Sequence, residues 1–293
     1  MAAAQGMAKC GVCALQLLFL LIFTIVSVPA IVAIYVTEIP LWAPTTPRGL
    51  RLRGKVMGSY VVVAWNLAGW LCFWVRLDRD ALAPLKDAGK SGRNVFVCLN
   101  HSSFFDTPIL PLICPWRFAP NLKLVASRRF MRMPFLGTLG RGVGHFEVPF
   151  TSREEGNFSL ERTAMDRTTK LIDEHLALGG HLCIFPEGTL NSSSTQLLPF
   201  RAGGFQFAIR HDMEIWTVVN AGSQECWPLG DLLGGGPARI DLSVVKVCTS
   251  ARETAELLAP SGASIQQQGR ELADEVRVVM QKQLDELWAR RGG

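Results

Sequence analysis

Two long apolar runs open the chain. Gly11 to Val36 is 26 residues without a charge, and Val56 to Val75 is another 20. A helix needs about 20 apolar residues to cross about 30 Å of hydrocarbon, so the pattern predicts membrane-associated helices over 11–36 and 56–75. Lys9 ahead of a Leu/Phe-rich stretch resembles a signal peptide, but the run exceeds the usual apolar core of about 7–15 residues, which predicts a retained segment. The second run contains Ser59, Asn66 and two glycines, with Trp65, Trp70 and Trp74 at helical spacing. Tryptophan favours the membrane interface, so this helix is expected to lie in the headgroup plane or to dip in and return; a buried core helix fits the same pattern. A short loop holding Arg48, Arg51, Arg53 and Lys55 is expected between the runs.

From residue 94 the rhythm changes. Asn94–Leu99, Lys123–Ala126, Gly144–Val148, His181–Phe185, Glu214–Val219 and Arg239–Cys248 read as strands. Phe104–Ile113, Leu160–Leu178 and Gly204–Ile209 read as helices between them. This alternation predicts an α/β fold, a mixed sheet flanked by helices. Residues 1–76 form an expected anchoring region and 77–293 an expected second domain. Its tail, Ser264–Arg291, is an amphipathic helix whose stripe of Ile265, Leu272, Val276, Val279, Leu284, Leu287 and Trp288 should dock on the domain. The Gly-rich stretch Leu229–Pro237 reads as a surface loop. In such sheets ligands sit at the carboxyl ends of strands, which directs attention to the loops that follow them.

Composition sharpens this division. Of 293 residues 48% are hydrophobic and 19% charged, below the roughly 25% charge of ordinary soluble domains and too apolar for a disordered chain. Residues 1–75 carry five Lys/Arg and one acid, net +4, which leaves +1 of the total +5 for the remainder. No broad cationic face remains for nucleic acid. The positive charge lies beside the apolar runs, where anionic headgroups would be. If only the first run spans, the positive-inside bias puts the following domain in the cytosol; if both span, it favours the opposite side. The eight cysteines lack metal-site spacing and read as isolated thiols of a reducing compartment. Asn157-Phe158-Ser159 and Asn191-Ser192-Ser193 match the short glycosylation pattern.

Two loops carry candidate chemistry. After the first strand comes Asn100-His101-Ser102-Ser103-Phe104-Phe105-Asp106. On an ideal helix residues five apart lie about 140° apart, so His101 and Asp106 meet only across a strand-to-helix turn, which Thr107-Pro108 supports. Asp106 would then hold one ring nitrogen and leave the other as a base. A capping Asp106 or Thr107 with a satisfied polar His101 is the plainer alternative. After the fourth strand, Pro186-Glu187-Gly188-Thr189 puts a carboxylate on a tight turn. Glu187 there can meet substrate hydroxyls and Gly188 permits close backbone approach, or the turn is chosen for geometry alone.

Together these segments resemble the glycerolipid acyltransferase family, which includes the 1-acylglycerol-3-phosphate acyltransferases. Asn100-His101 to Asp106 is similar to its first motif, and Phe185-Pro186-Glu187-Gly188-Thr189 to its third. Arg128 to Gly137 resembles the basic-apolar stretch ending in Pro-Phe-x-Gly, and Leu198-Pro199-Phe200-Arg201-Ala202-Gly203-Gly204-Phe205 resembles a downstream Leu-Pro-Phe-Lys-x-Gly-x-Phe segment. The resemblance implies a membrane enzyme of phospholipid biosynthesis that moves an acyl group from acyl-CoA, or another acyl thioester, to a hydroxyl of lysophosphatidate; glycerol 3-phosphate or another lysophospholipid is the alternative acceptor. It implies His101 as base oriented by Asp106, substrate contacts from Glu187, Gly188 and Thr189, and no metal or cofactor beyond the co-substrate. The implied location is the endoplasmic reticulum membrane in a eukaryote or the inner membrane in a bacterium. Three positions depart from the family: Phe150 and Leu190 stand where arginines are usual, and Thr217 where proline is. Phosphate binding then falls to Arg128, Arg201 and Arg153. Ser102 and Ser103 read as lining residues, since adjacent residues are poorly placed as nucleophile and base. A non-catalytic lipid-binding protein on the same fold is the rival reading.

Overall fold

The computed structural model describes residues 2–38, 46–118, 120–133, 135–148 and 162–292. The chain runs α1 (Ala2–Glu38), α2 (Pro47–Leu71), β1 (Val75–Leu77), a 3-10 turn (Asp80–Lys86), β2 (Val95–Leu99), α3 (Asp106–Ile113), β3 (Leu122–Ser127), α4 (Arg128–Met131), α5 (Leu136–Val143), β4 (Phe146–Val148), α6 (Arg162–Ala177), β5 (His181–Ile184), α7 (Ala202–Arg210), β6 (Glu214–Ala221), α8 (Ser223–Cys226), β7 (Ala238–Cys248), α9 (Ala251–Leu258) and α10 (Ile265–Gly292). The strands form one mixed sheet in the order β1-β7-β6-β2-β5-β3-β4. Neighbours from β6 to β4 are parallel, while β7 runs antiparallel to β6 and parallel to β1. The carboxyl ends of β2, β3, β4, β5 and β6 therefore share one edge.

Alternation along the strands sorts two cores onto the two faces. Val95, Val97 and Leu99 of β2 join Trp216 and Val218 against α1, α2, α3 and α5. Phe96 and Cys98 join Leu182, Ile184 and Ile215 against α6, α7, α9 and α10. Both faces of the central strands are buried, which is why β2 reads as an unbroken apolar run, and in β6 even the polar Glu214, Thr217 and Asn220 are buried. Thr217 occupies a central strand, bonding to Val245 O at 3.2 Å and to Gln283 Oε1 at 2.7 Å. A threonine keeps the backbone donor that proline would remove there.

The N-terminal region differs from expectation in its second helix. Arg48, Arg51, Arg53 and Lys55 lie in the first turns of α2 rather than in a loop, because Thr46 caps the helix by accepting from Gly49 N at 3.1 Å and Pro47 begins it. The helix ends at Leu71, so Trp74 is not on it; its indole instead donates to Gly235 O at 2.8 Å. One face of α2 is buried through Val61, Ala64, Trp65 and Ala68, while Val56, Val63, Leu67 and Trp70 are exposed. Among the described residues one helix stretch, Gly11–Thr37, is long and apolar enough to cross a membrane. Its inner stripe of Phe19, Phe23, Ser27, Ala30 and Ile34 is buried and its outer face of Leu17, Leu21, Ile25, Val28, Val32 and Tyr35 is exposed.

The Gly-rich stretch is also more than a surface loop. Gly234, Gly235 and Gly236 are buried, and a Cβ on Gly235 would collide with Phe19 of α1. Cys13, Cys72, Cys98, Cys114, Cys183, Cys226 and Cys248 are free thiols. The α10 stripe docks through Leu272, Val276, Leu284 and Leu287, with Met280 added and Ile265 left exposed.

Candidate active site

The shared edge gathers the two candidate loops. β2 and β5 are adjacent and in register from Phe96↔Leu182 to Cys98↔Ile184, so His101 and Glu187 leave neighbouring strands about 4.8 Å apart. The turn after β2 brings His101 and Asp106 together, as the sequence requires: His101 Nδ1 lies 3.3 Å from Asp106 Oδ2. The same oxygen accepts Ser102 N at 2.6 Å and Ser103 N at 2.8 Å, so Asp106 both opens α3 and holds the imidazole. Asp106 caps nothing, since the N-cap of α3 is Phe105 and makes no side-chain bond; its carboxylate instead holds the turn before the helix together with the imidazole. Asp106 is fully buried, whereas the His101 side chain keeps 17% of its surface and stacks on Phe185 with ring centroids 4.1 Å apart. The fixed ring therefore presents its far edge outward.

Glu187 lies in a web of hydrogen bonds to the protein itself. Its carboxylate is 2% exposed and takes three donors from the protein: Oε1 accepts His101 N at 2.9 Å, and Oε2 accepts Asn191 Nδ2 at 2.8 Å and Leu198 N at 3.0 Å. Burial pushes its acidity constant above the usual carboxylate range, against the opposing pull of these donors. Glu187 thus fastens the backbone of His101 to the loop that carries Asn191 and Leu198. Gly188 beside it has φ +71°, and Arg201 Cγ passes 3.2 Å from the position a Cβ would take. Arg201 thus lies across the Glu187–Gly188 turn, with its own N donating to Pro186 O at 2.8 Å. Arg128 begins α4 at the end of β3, two strands from β2, and its Nε pairs with Glu147 Oε1 at 2.8 Å. Thr189 completes the turn and is partly exposed. Arg153 and Phe150 lie outside the described residues, as does Asn157-Phe158-Ser159.

Several residues escape the sequence reading. Asn191 ties Glu187 to Gln196 O at 2.6 Å, and its N–H donates to His101 O at 2.7 Å, so both backbone groups of His101 are fixed. With its side-chain amide consumed and 3% exposed, Asn191 is no glycan acceptor. Asn100 accepts Asn220 N at 2.8 Å and donates to Asn220 O at 2.9 Å, binding the loop to β6. Ser103, fully buried, places Oγ 3.0 Å from Ser223 O and 2.7 Å from Trp227 O, which leaves its hydroxyl structural. Burial pushes the neighbouring Cys226 thiol up to about 12, with the Asp106 charge adding to the shift, so it is inert as a nucleophile. The local signals are asparagines at strand ends, to which sequence alone assigns no partner.

An apolar pocket opens beside this edge. It begins at Thr107, next to Asp106, and is walled by Val61, Val62 and Trp65 of α2, Leu110 of α3, Phe130 and Leu136. The basic-apolar stretch forms one wall because Gly137 packs directly on Met131: a Cβ there would lie 2.5 Å from Met131 O.

Residues 75–220 match the acyltransferase family model, and the chain belongs to that family. Among solved structures it resembles the 1-acyl-sn-glycerophosphate (LPA) acyltransferase PlsC from Thermotoga maritima, with a TM-score of 0.59, 17% identity, and coverage of 94% of this chain and 96% of that one. At that identity the likeness is one of fold. Comparison with curated proteins gives no match.

Proposed function

We propose that this acyltransferase moves a fatty acyl group from an acyl thioester, acyl-CoA in the first instance, to the free hydroxyl of lysophosphatidate. The buried Asp106 carboxylate holding a partly exposed His101 carries the reading. With Nδ1–H donating to Asp106, Nε2 keeps a lone pair and takes the acceptor's hydroxyl proton as its oxygen attacks the thioester carbonyl. The C–S bond then breaks, and the leaving thiolate takes the proton from the imidazolium. Such general-base help contributes about 10²–10⁴ in rate. Transfer is direct, without an acyl-enzyme: Ser103 is committed to backbone carbonyls, and Ser102 is buried with its Oγ 3.4 Å from Ser223 Oγ. The apolar pocket beside Thr107 receives the acyl chain, and Arg201, lying over Gly188, meets the acceptor's phosphate together with Arg128 and Arg153.

The site works at a membrane surface, with residues 1–76 as the attachment. Packing supports an in-plane α1: Phe19 contacts Phe105 with ring centroids 5.8 Å apart, Ser27 accepts from Trp65 at 3.0 Å, and Ile34 fills the space above Gly142. Helix and body stay in contact along about 22 Å, at 1.5 Å per residue. A crossing α1 would carry Phe105, adjacent to Asp106, into hydrocarbon. Lying flat, it buries only its outer apolar face and puts Arg48 to Lys55 near anionic headgroups.

The test offers labelled oleoyl-CoA with lysophosphatidate, glycerol 3-phosphate or lysophosphatidylcholine to membranes containing the protein. Labelled phosphatidate as the main product is expected. Product only from another acceptor replaces the acceptor assignment, and no product from any, with other acyl thioesters also tried, overturns the reading.

A further inference from the structure

Residues 192–201 join the Glu187 turn to α7 without any helix or strand, so no ladder or helical bond fixes their backbone. Yet Leu197 and Leu198, in the middle, have all four backbone polar groups paired with side chains. Leu197 N donates to Gln281 Oε1 at 2.8 Å, and Leu197 O accepts Arg277 Nη2 at 3.1 Å. Leu198 O accepts Arg277 Nε at 3.1 Å, and Leu198 N donates to Glu187 Oε2 at 3.0 Å. Gln281 also donates to Thr195 O at 2.8 Å. Arg277 and Gln281 are one helical turn apart on α10, on the flank beside the apolar stripe that docks the helix.

We infer that Arg277 and Gln281 are positioning residues for the transfer reaction, acting on His101 through Leu197–Leu198 and Glu187. The sequence of contacts is continuous. The two α10 side chains fix the Leu197–Leu198 peptide, that peptide fixes one oxygen of Glu187, and the other oxygen of Glu187 fixes the backbone N of His101 at 2.9 Å. The forked guanidinium grips two successive carbonyls, which a point-charge ammonium cannot do at once. Docking of α10 needs neither residue, since Leu272, Val276, Met280, Leu284 and Leu287 already bury its inner stripe. Placement of a base to within a fraction of an ångström does need them, because misplacement by about 1 Å costs about 10² in rate.

The inference rests on His101 as the base, and the experiment separates the two. Steady-state kinetics with oleoyl-CoA and lysophosphatidate are measured for Arg277→Leu, Arg277→Lys, Gln281→Leu, Gln281→Glu, Glu187→Gln, the Arg277→Leu/Glu187→Gln pair and His101→Ala. Arg277→Leu and Gln281→Leu should lower kcat about tenfold or more with KM for both substrates within about twofold. Arg277→Lys should recover part of the loss, and so should Gln281→Glu, which still accepts from Leu197 N but no longer donates to Thr195 O and faces the Asp285 carboxylate. In the Glu187→Gln background Arg277→Leu should add little, because the link is already cut. Unchanged kcat in both leucine variants, a KM rise in place of the kcat loss, or full additivity with Glu187→Gln overturns the inference. Should Arg277→Leu fail to fold, kcat and KM of the two Gln281 variants and of Arg277→Lys decide the matter by the same criteria. If His101→Ala is fully active, the base assignment falls; if it is inactive while the leucine variants are unimpaired, only the α10 inference falls.

Discussion

Replacing Glu187 by Gln distinguishes a carboxylate that meets substrate from one that holds the base. The change removes the charge at nearly constant volume from a side chain that is 2% exposed. Its two oxygens serve three donors, one at Oε1 and two at Oε2. The amide has a single oxygen, which best faces Asn191 and Leu198, so its NH₂ is turned toward His101 N. One charge-assisted bond is lost there and two donors confront each other, a cost of about 1.5–3 kcal/mol. Denaturant titration should therefore show about 2 kcal/mol of destabilisation, small enough for the variant to fold. Because the broken bond is the one to His101, kcat should fall about tenfold or more while KM for the acceptor holds. Unchanged kcat with a raised acceptor KM would refute the reasoning and return Glu187 to the substrate-binding role suggested by its place on a turn after β5.

Two further outcomes follow from buried groups and from the pocket. Burial pushes His145 down to about 3 and His181 down to about 4, so between about pH 4 and 6.5 the unfolded chain binds protons that the folded chain does not. Stability should then fall on acidification, by about 1–2 kcal/mol from about pH 6.5 to 5.5, read from denaturant midpoints; a flat profile, or one unchanged in His145→Gln and His181→Asn, contradicts this. Gly58→Leu fills the pocket where α2 lines it, and should shift preference in a competition between long and short acyl-CoA donors toward the shorter, at about 0.8 kcal/mol per excluded methylene. An unchanged ratio places the acyl chain elsewhere.

Much of the fold is legible in the sequence because the strands are short β-rich runs bounded by turn residues, and six of the seven are visible in the chain. β1 is not, since Val75–Leu77 follows directly on the apolar run 56–75 with no turn residue to set it apart. The start of α2 is misleading for a different reason: its four cations suggest a loop, although Thr46-Pro47 is a cap followed by a proline at the first helical position, and Arg and Lys are good helix formers. His101, Asp106 and Glu187 are legible as positions because each lies just beyond a strand. Their division of labour is not. Glu187 is bound by donors at residues 101, 191 and 198, the first brought up by the parallel pairing of β2 with β5 and the other two by the loop that folds back after β5. Asn191 looks like a glycan acceptor and is an internal strut, and the α10 side chains at 277 and 281 look solvated because nothing local names Leu197 and Leu198 as their partners.

The base is the point on which everything else depends. Acyl transfer from labelled oleoyl-CoA should be compared between the parent and His101→Ala, each shown by circular dichroism to be folded and by flotation to be bound to the same vesicles. A fall in kcat of about 10²-fold or more, with folding and attachment intact, is the expected result. Transfer at the parental rate would show that some other group removes the hydroxyl proton.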